Sequence, residues 1–348
     1  MIMAGGTGGH VFPALAVANA LRNQGVKITW LGTHKGIEAT VVPRNNIKME
    51  WVSVNGLRGN GLLSWLMAPF KLLRAIWQSA TAIRKVKPDC ILGMGGFVSG
   101  PGGLAARLMR KPLVIHEQNA VAGLTNKYLS KIASRVLSGF PNVIDLPVST
   151  QWIGNPVRSE ILSVEKRQKT GEDINVLVIG GSQGANSLNI YLPQLFANQK
   201  VEINVWHQSG KKNAEGVISR YEKLNMQVKV TEFIDDMATA YEWADLLVCR
   251  AGAMTIAECC AAAKPALLIP YPFSAGDHQQ KNAEAMHNAG GALIVSNEVL
   301  STAESLSELT QLLSDKDKLY EMGQSAYGLT KPNALSDVIK VCEEYLHA

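Results

Sequence analysis

The chain is 348 residues long, 47% apolar and 18% charged, which suits about two globular domains with ordinary cores. No apolar run reaches the ~20 residues that cross a bilayer; the nearest, Leu62–Phe70, is broken by Ser64 and Pro69, and no basic, cleavable leader opens the chain. The five cysteines, Cys90, Cys249, Cys259, Cys260 and Cys342, are odd in number and lack Cys-x-x-Cys spacing, so they read as reduced thiols of a cytosolic protein rather than zinc ligands or disulfides.

The net charge of +5 is unevenly spread. Residues 1–155 carry 17 Lys+Arg against 5 Asp+Glu, and residues 156–348 carry 17 against 24. A basic half joined to an acidic half predicts that the first half meets an anionic partner. On charge alone that is nucleic acid or an anionic lipid surface.

The opening strand is short for a parallel sheet, which leads one to expect further residues ahead of Met1 in the full protein. Ala4-Gly5-Gly6-Thr7-Gly8-Gly9-His10 then forms a glycine turn. A helix over Pro13–Asn23 follows, with apolar 14, 15, 17, 18 and 21 and Pro13 suited to its first position. Glycines between strand and helix let backbone N–H groups approach an anion. The spacing is neither the dinucleotide fingerprint, since Val11 stands where glycine is needed, nor a P-loop. The bland alternative is a tight turn alone. His10 adds a titratable group at the helix start, a candidate base.

Ile28–Leu31, Cys90–Met94, Leu113–His116 and Arg135–Leu137 predict the strands of the first half. Between them, Trp65, Phe70 and Trp77 mix with Lys71, Arg74, Arg84, Lys85 and Lys87. An apolar patch rimmed by cations suits docking on anionic lipid; a core-facing helix with a solvated basic face is the plain alternative. Nucleic acid is set aside because no binding motif accompanies the charge. Gly93–Gly103 holds six glycines after a strand, a costly loop that suits close contact with a phosphate-bearing ligand. The stretch at Gly154-Asn155-Pro156 has the turn chemistry of a linker. It separates a domain over 1–155 from one over 156–331, and a closing helix over 332–348 is placed on either domain, with a return to the first preferred.

In the second half Ile174–Ile179, Ile203–His207, Val228–Phe233, Leu246–Cys249, Ala266–Ile269 and Ala292–Val295 predict strands. Apolar strands alternating with helices imply parallel sheets covered on both faces. A second glycine turn, Gly180-Gly181-Ser182-Gln183-Gly184, follows the first of them and matches a nucleophile elbow, with Asp235, Asp277 and His287 in a possible triad order. No His-Gly-Gly-Gly oxyanion segment accompanies it, and a hydrolase leaves the first turn unexplained. Arg250-Ala251-Gly252-Ala253-Met254-Thr255-Ile256-Ala257-Glu258 runs from a strand end into a helix that carries Glu258, a carboxylate placed to accept ribose hydroxyls. Gln279 and Gln280 open another helix with amides suited to sugar hydroxyls. No Asp-x-Asp metal pair is visible; Asp235 and Asp236 are adjacent.

Seven segments, Ala4–Pro13, Gly93–Pro101, His116-Glu117-Gln118-Asn119, Gly154-Asn155-Pro156-Val157-Arg158, Gly180–Ala185, Arg250–Glu258 and Asp277–Asn282, together resemble the N-acetylglucosaminyltransferases of glycosyltransferase family 28 over nearly the whole chain. The resemblance implies an α/β GT-B fold, two doubly wound Rossmann-like domains facing a deep cleft. It implies inverting transfer of N-acetylglucosamine from UDP-N-acetylglucosamine to the 4-hydroxyl of undecaprenyl-diphosphoryl-N-acetylmuramoyl-pentapeptide; with no Asp-x-Asp pair, and with backbone N–H groups and a helix dipole to meet the leaving charge, no metal or other cofactor is expected to be obligatory.

It further implies that the second domain holds the donor. Ser182, Gln183 and Gly184 would lie on the diphosphate; Ile234 and Arg250 through Ala253 and Met254 beside the uracil; Thr255, Ile256 and Ala257 also on the donor; Glu258 on the ribose; Gln279 and Gln280 at the sugar. Thr7, Gly8, Gly9, Asn119 and Arg158 would meet the donor from the other side. Gly95, Gly96 and Ser99 would receive the acceptor, and His10 would be the base. Trp65, Phe70, Lys71 and Arg74 would dock on the cytoplasmic face of the bacterial inner membrane. His278 departs from the family, which often has Arg there. An epimerase of the same shape and a nucleotide-binding module without catalysis remain as alternatives.

Overall fold

The computed structural model describes residues 1–54, 67–166, 173–181 and 183–346. The chain divides into two compact units, Met1–Pro156 with Asn333–Ala348, and Val157–Pro332.

In the first unit, β1 (Ile2–Met3), β2 (Thr29–Gly32), β3 (Lys48–Trp51), β4 (Ile91–Gly93), β5 (Leu113–Glu117), β6 (Arg135–Ser138) and β7 (Gln151–Trp152) form one parallel sheet in the order β3-β2-β1-β4-β5-β6-β7. Short as it is, β1 pairs with both β2 and β4 at the centre. Every residue of β1, β2, β4 and β5 is buried, because helices cover both faces and an apolar run is then the stable choice. The edge strands β3 and β7 were not among those predicted. Lys48, Met49, Glu50 and Trp51 are exposed or half-buried, so no apolar run marks them.

The second unit repeats the plan. β8 (Ile174–Ile179), β9 (Ile203–Gln208), β10 (Lys229–Thr231), β11 (Leu246–Cys249), β12 (Ala266–Leu268) and β13 (Ala292–Ile294) form a parallel sheet ordered β10-β9-β8-β11-β12-β13. Both orders run outward from a central strand and then reverse, which is the doubly wound Rossmann arrangement. The strand expected over Val228–Phe233 shortens to Lys229–Thr231, an edge strand whose residues are exposed or half-buried.

The first helix corrects the reading of Pro13. It runs over Gly8–Asn23 and begins at the glycines, so Pro13 lies inside it. A proline there has no N–H to give the Gly9 carbonyl one turn earlier, a cost the buried Val11, Ala14, Val17 and Ala18 offset. The closing helix, Ala334–Glu343, joins the first unit: Val338, Ile339, Val341 and Cys342 share a core with Ile2, Val11, Val17 and Trp30. Each Val or Ile among them contributes about 1.5–3 kcal/mol when fully buried. All five cysteines are buried and free. Among the described residues no helix is long and apolar enough to cross a membrane.

Candidate active site

Ligands of doubly wound sheets bind beyond the carboxyl ends of the strands where the order reverses. In the first unit that point lies between β1 and β4. The turn after β1 and the loop after β4 meet there. Gly95 (φ +99°) lies against the His10 ring, so that a Cβ on it would come 2.7 Å from Nδ1; a Cβ on Gly96 (φ +84°) would overlap the Gly5 carbonyl. Only glycine allows both the backbone conformation and this approach. Ser99, buried, donates through Oγ to the carbonyls of Gly95 (2.8 Å) and Met3 (3.2 Å), which fixes the loop to the sheet. Its hydroxyl therefore shapes the loop that carries Gly95 and Gly96.

Thr7 caps the Gly8–Asn23 helix through its backbone, and its carbonyl accepts from His10 and Val11. Thr7 and Gly9 are exposed, and Gly8 and His10 half-buried. One residue here carried no sequence signal. Glu38 is fully buried and accepts from Gly6 N (3.0 Å), Thr33 N (3.1 Å) and Thr33 Oγ1 (2.8 Å). A carboxylate already holds the Gly6 N–H, so any anion at this turn must use the amides that follow it. In sequence Glu38 looks like any helix acid.

His10 Nδ1 lies 2.9 Å from Gln118 Oε1, Gln118 Nε2 lies 3.2 Å from His116 Nδ1, and His116 Nε2 lies 2.9 Å from the Gly154 carbonyl. Burial pushes the His116 pKa below its ordinary value, against the opposite pull of the Gly154 carbonyl and Glu117. Glu117, also buried, accepts from Asn119 N (3.0 Å), Asn119 Nδ2 (3.1 Å), Gly123 N (3.0 Å) and Asn126 Nδ2 (2.9 Å). Asn119 is thus turned toward Glu117, and the loop after β5 is folded around one carboxylate.

In the second unit the reversal lies between β8 and β11. The turn after β8 has Gly181 at φ +77° and Gly184 at φ +75°; apart from its chain neighbours no described residue lies within 4 Å of a Cβ on Gly181, whereas a Cβ on Gly184 would overlap the Ser209 carbonyl. Ser209 is fixed from below by a buried chain. Asn189 Nδ2 donates to its carbonyl (2.9 Å), Asn189 Oδ1 meets His207 Nε2 (3.0 Å), and His207 Nδ1 meets Tyr221 Oη (2.9 Å). Desolvation holds His207 neutral, its pKa pushed down to about 3. Gln183 is exposed; Ser182 lies outside the described residues.

Arg250 ties loops together: its guanidinium donates to the carbonyls of Ile269 (3.0 Å) and Pro270 (3.2 Å), to Ser187 Oγ (2.6 Å) and to Asn297 Oδ1 (3.0 Å). Gly252 opens the Ala253–Ala261 helix, with Ala253 and Ile256 buried and Met254, Thr255 and Ala257 half-buried; Ile234 is buried. Glu258 accepts from Tyr241 Oη (3.1 Å) and from Arg158 Nη2 (3.1 Å), and burial raises its pKa against the pull of Arg158. Arg158, grouped in the sequence with Thr7 to Gly9, lies in the second unit with Glu258. Gln279 Oε1 accepts from Tyr271 N (2.9 Å), and Gln280 reaches Glu284 (3.3 Å) at the start of the His278–Asn288 helix.

Asp236 caps the Met237–Trp243 helix through Thr239 N (3.0 Å) and Thr239 Oγ1 (2.6 Å), so its carboxylate already has a structural task. Asp235-Asp236 is thus a helix entrance. His287 Nδ1 meets the Ala292 carbonyl at 2.9 Å, the edge that a triad would turn to an acid. The elbow reading of Gly180–Gly184 loses its base.

Two doubly wound parallel sheets, each with glycine loops at its reversal point, are the architecture of the GT-B class. Solved neighbours share the shape at low identity: the calicheamicin glycosyltransferase CalG4 matches with a TM-score of 0.69 at 14% identity, covering 100% of this chain and 98% of that one. The chain belongs to glycosyltransferase family 28. Residues 1–138 match its N-terminal domain and residues 175–340 its C-terminal domain. A Shewanella woodyi protein named UDP-N-acetylglucosamine--N-acetylmuramyl-(pentapeptide) pyrophosphoryl-undecaprenol N-acetylglucosamine transferase is 47% identical, covering 98% of this chain and 95% of its own. A Nitrosococcus oceani protein of the same name is also 47% identical, covering 99% and 98%. The crystal structure of Acinetobacter baumannii MurG matches with a TM-score of 0.87 at 39% identity, covering 99% of each chain. The family resemblance and the fold class read from the motifs both hold.

Proposed function

We propose that this chain transfers N-acetylglucosamine from UDP-N-acetylglucosamine to the 4-hydroxyl of undecaprenyl-diphosphoryl-N-acetylmuramoyl-pentapeptide, with inversion at the anomeric carbon. The observation that carries this reading is near-half identity, along 98% of the chain, to a transferase so named. The test is transfer of radiolabel from UDP-N-acetylglucosamine to a short-chain lipid acceptor; label released as free sugar, with none on lipid, would sink it.

In this reading His10 Nε2 takes the proton of the acceptor hydroxyl. The O4–C1 bond forms as the bond from C1 to the diphosphate breaks, and UDP leaves with the electron pair. The turn with Gln183 and Gly184 cradles the diphosphate with backbone N–H groups, and Ser182 joins it there. Ile234 and the Arg250–Met254 stretch border the uracil, Thr255 to Ala257 add donor contacts, Glu258 holds the ribose, and Gln279 with Gln280 faces the sugar. A carboxylate has room for about four hydrogen bonds, so Glu258 can keep Tyr241 while it accepts ribose hydroxyls. Thr7, Gly8, Gly9, Asn119 and Arg158 complete donor recognition, and Gly95, Gly96 and Ser99 shape the acceptor seat. The developing charge is met by amides and helix dipoles, so no divalent metal is obligatory. Activity should survive a chelator; complete loss, restored by added Mg²⁺ or Mn²⁺, would contradict this.

The chain works as a peripheral protein on the cytoplasmic face of the inner membrane. Phe70 (66% exposed), Leu73 (63%) and Trp77 (69%) lie along one side of the Ala68–Val86 helix, with Lys71 and Arg74 also exposed. Ala75, Ser79, Ala82 and Ile83 form its buried side. Large apolar side chains turned outward beside cations support an interfacial role over a core-facing one. Trp65, read as part of the patch, lies outside the described residues. Changing Phe70, Leu73 and Trp77 together to serine should lower binding to phosphatidylglycerol vesicles at least tenfold, each exposed aromatic or leucine being worth about 1 kcal/mol or more on partial burial. Binding of UDP-N-acetylglucosamine in solution should be unchanged; parallel loss of both would indicate a folding defect.

A further inference from the structure

The motif His116-Glu117-Gln118-Asn119 supplied only Asn119 to the site as read from sequence, yet His116 and Gln118 connect directly to the candidate base. The hydrogen positions along that chain follow from its far end. The Gly154 carbonyl can only accept, so the nitrogen facing it, His116 Nε2, carries the hydrogen. His116 is fully buried, and desolvation lowers its pKa against the pull of Glu117, so its ring is neutral and Nδ1 is a bare lone pair.

A lone pair needs a donor, and the group 3.2 Å away is the Gln118 amide nitrogen. The same nitrogen donates to the His116 carbonyl at 3.1 Å, and a flipped amide would set its oxygen against two acceptors at once. The backbone cannot relax this, because Asn155 Nδ2 holds the Gln118 carbonyl at 3.0 Å and Gln118 is buried. Gln118 Oε1 therefore faces His10 Nδ1, which must be the donor across their 2.9 Å contact.

We propose that Gln118 and His116 are positioning residues that lock His10 in its Nδ1–H tautomer and so leave the Nε2 lone pair as the only one on the ring able to take a proton. The proposal rests on the reading of His10 as the base. No polar partner for Nε2 is found among the described residues, and Gly95 closes the Nδ1 edge of the ring from the loop after β4. The anchor is the Gly154 carbonyl, one residue before the Asn155 that holds Gln118 from its other side. The Gly154–Asn155 segment thus sets the ring state of a residue far away in sequence. An imidazole with no such partner exchanges between tautomers, and only the Nδ1–H form can act as base through Nε2.

The test is a two-bond ¹H–¹⁵N correlation spectrum of the full chain labelled with ¹⁵N-histidine, with His10 assigned by the signals lost in His10→Ala. Wild type should show His10 protonated at Nδ1 and bare at Nε2 at a pH where the ring is neutral. Gln118→Leu should move it toward the Nε2–H form and lower kcat at least about tenfold, with KM for UDP-N-acetylglucosamine held within about twofold. Gln118→Glu keeps an acceptor for Nδ1–H, so it should keep the wild-type tautomer and recover part of that kcat. An Nε2–H pattern in wild type, or an unchanged pattern in folded Gln118→Leu, would overturn the lock. Full turnover by His10→Ala, with the Nδ1–H pattern present in wild type, would leave the lock standing and remove only its catalytic use.

Discussion

Replacing His10 with alanine is expected to lower kcat by about 10²–10⁴, the usual range for a lost general base, while KM for UDP-N-acetylglucosamine stays within about twofold. The split follows from where the ring sits. His10 is the third residue of the Gly8–Asn23 helix, its Nδ1 edge is taken up by Gln118 and Gly95, and only Nε2 remains for substrate. A group in this position acts on the acceptor hydroxyl as it becomes a nucleophile. Its loss therefore raises the barrier from the bound state without weakening donor binding. Truncation also leaves Gln118 Oε1 without its donor, a cost to folding of about 1–3 kcal/mol for an unsatisfied buried group. The measurement is single-turnover transfer at saturating donor, with thermal melting to show the variant is folded. Turnover within threefold of wild type would remove His10 as the base. A matched rise in KM with kcat unchanged would make it a binding residue instead.

The central strands were legible because burial on both faces demands apolar runs. Ile174–Ile179 and Leu246–Cys249 were read at their observed bounds. The edges were not, since the residues of Lys48–Trp51 and Gln151–Trp152 are exposed or half-buried and form no apolar run. The glycine turns were legible as turns. Their internal chemistry was not, because it is made by distant partners. Glu38 comes to Gly6 across 32 residues, Gln118 comes to His10 across 108, and Gly154 comes to His116 across 38. Sequence order gives no hint that such groups touch. Arg250 shows the same limit from the other side: the family resemblance implied a ligand contact, and its guanidinium is engaged by four groups of its own unit. What the motifs did carry was family membership. Several short segments in a fixed order are hard to match by accident even when each alone is an ordinary turn.

Gly184→Ala is expected to raise KM for UDP-N-acetylglucosamine at least about tenfold and to lower stability by about 2–3 kcal/mol. Two costs fall on this one position. At φ +75° an alanine takes on the left-handed strain of about 1–2 kcal/mol, and its Cβ overlaps the Ser209 carbonyl. The second cost is difficult to relieve. Ser209 is held by Asn189, which is held by the neutral ring of His207, which is held in turn by Tyr221. With that side fixed, the turn after β8 must move, and in moving it displaces the backbone amides proposed to cradle the diphosphate. Gly181→Ala separates the two costs. Its φ of +77° imposes the same strain, but apart from its chain neighbours no described residue lies within 4 Å of the added methyl, so its stability loss should stop at about 1–2 kcal/mol. Isothermal titration with UDP and denaturant unfolding of both variants make the comparison. If the two lose affinity equally, backbone strain alone sets the cradle and close packing on Ser209 does not. If Gly184→Ala binds UDP as wild type does, the turn after β8 is not where the diphosphate sits.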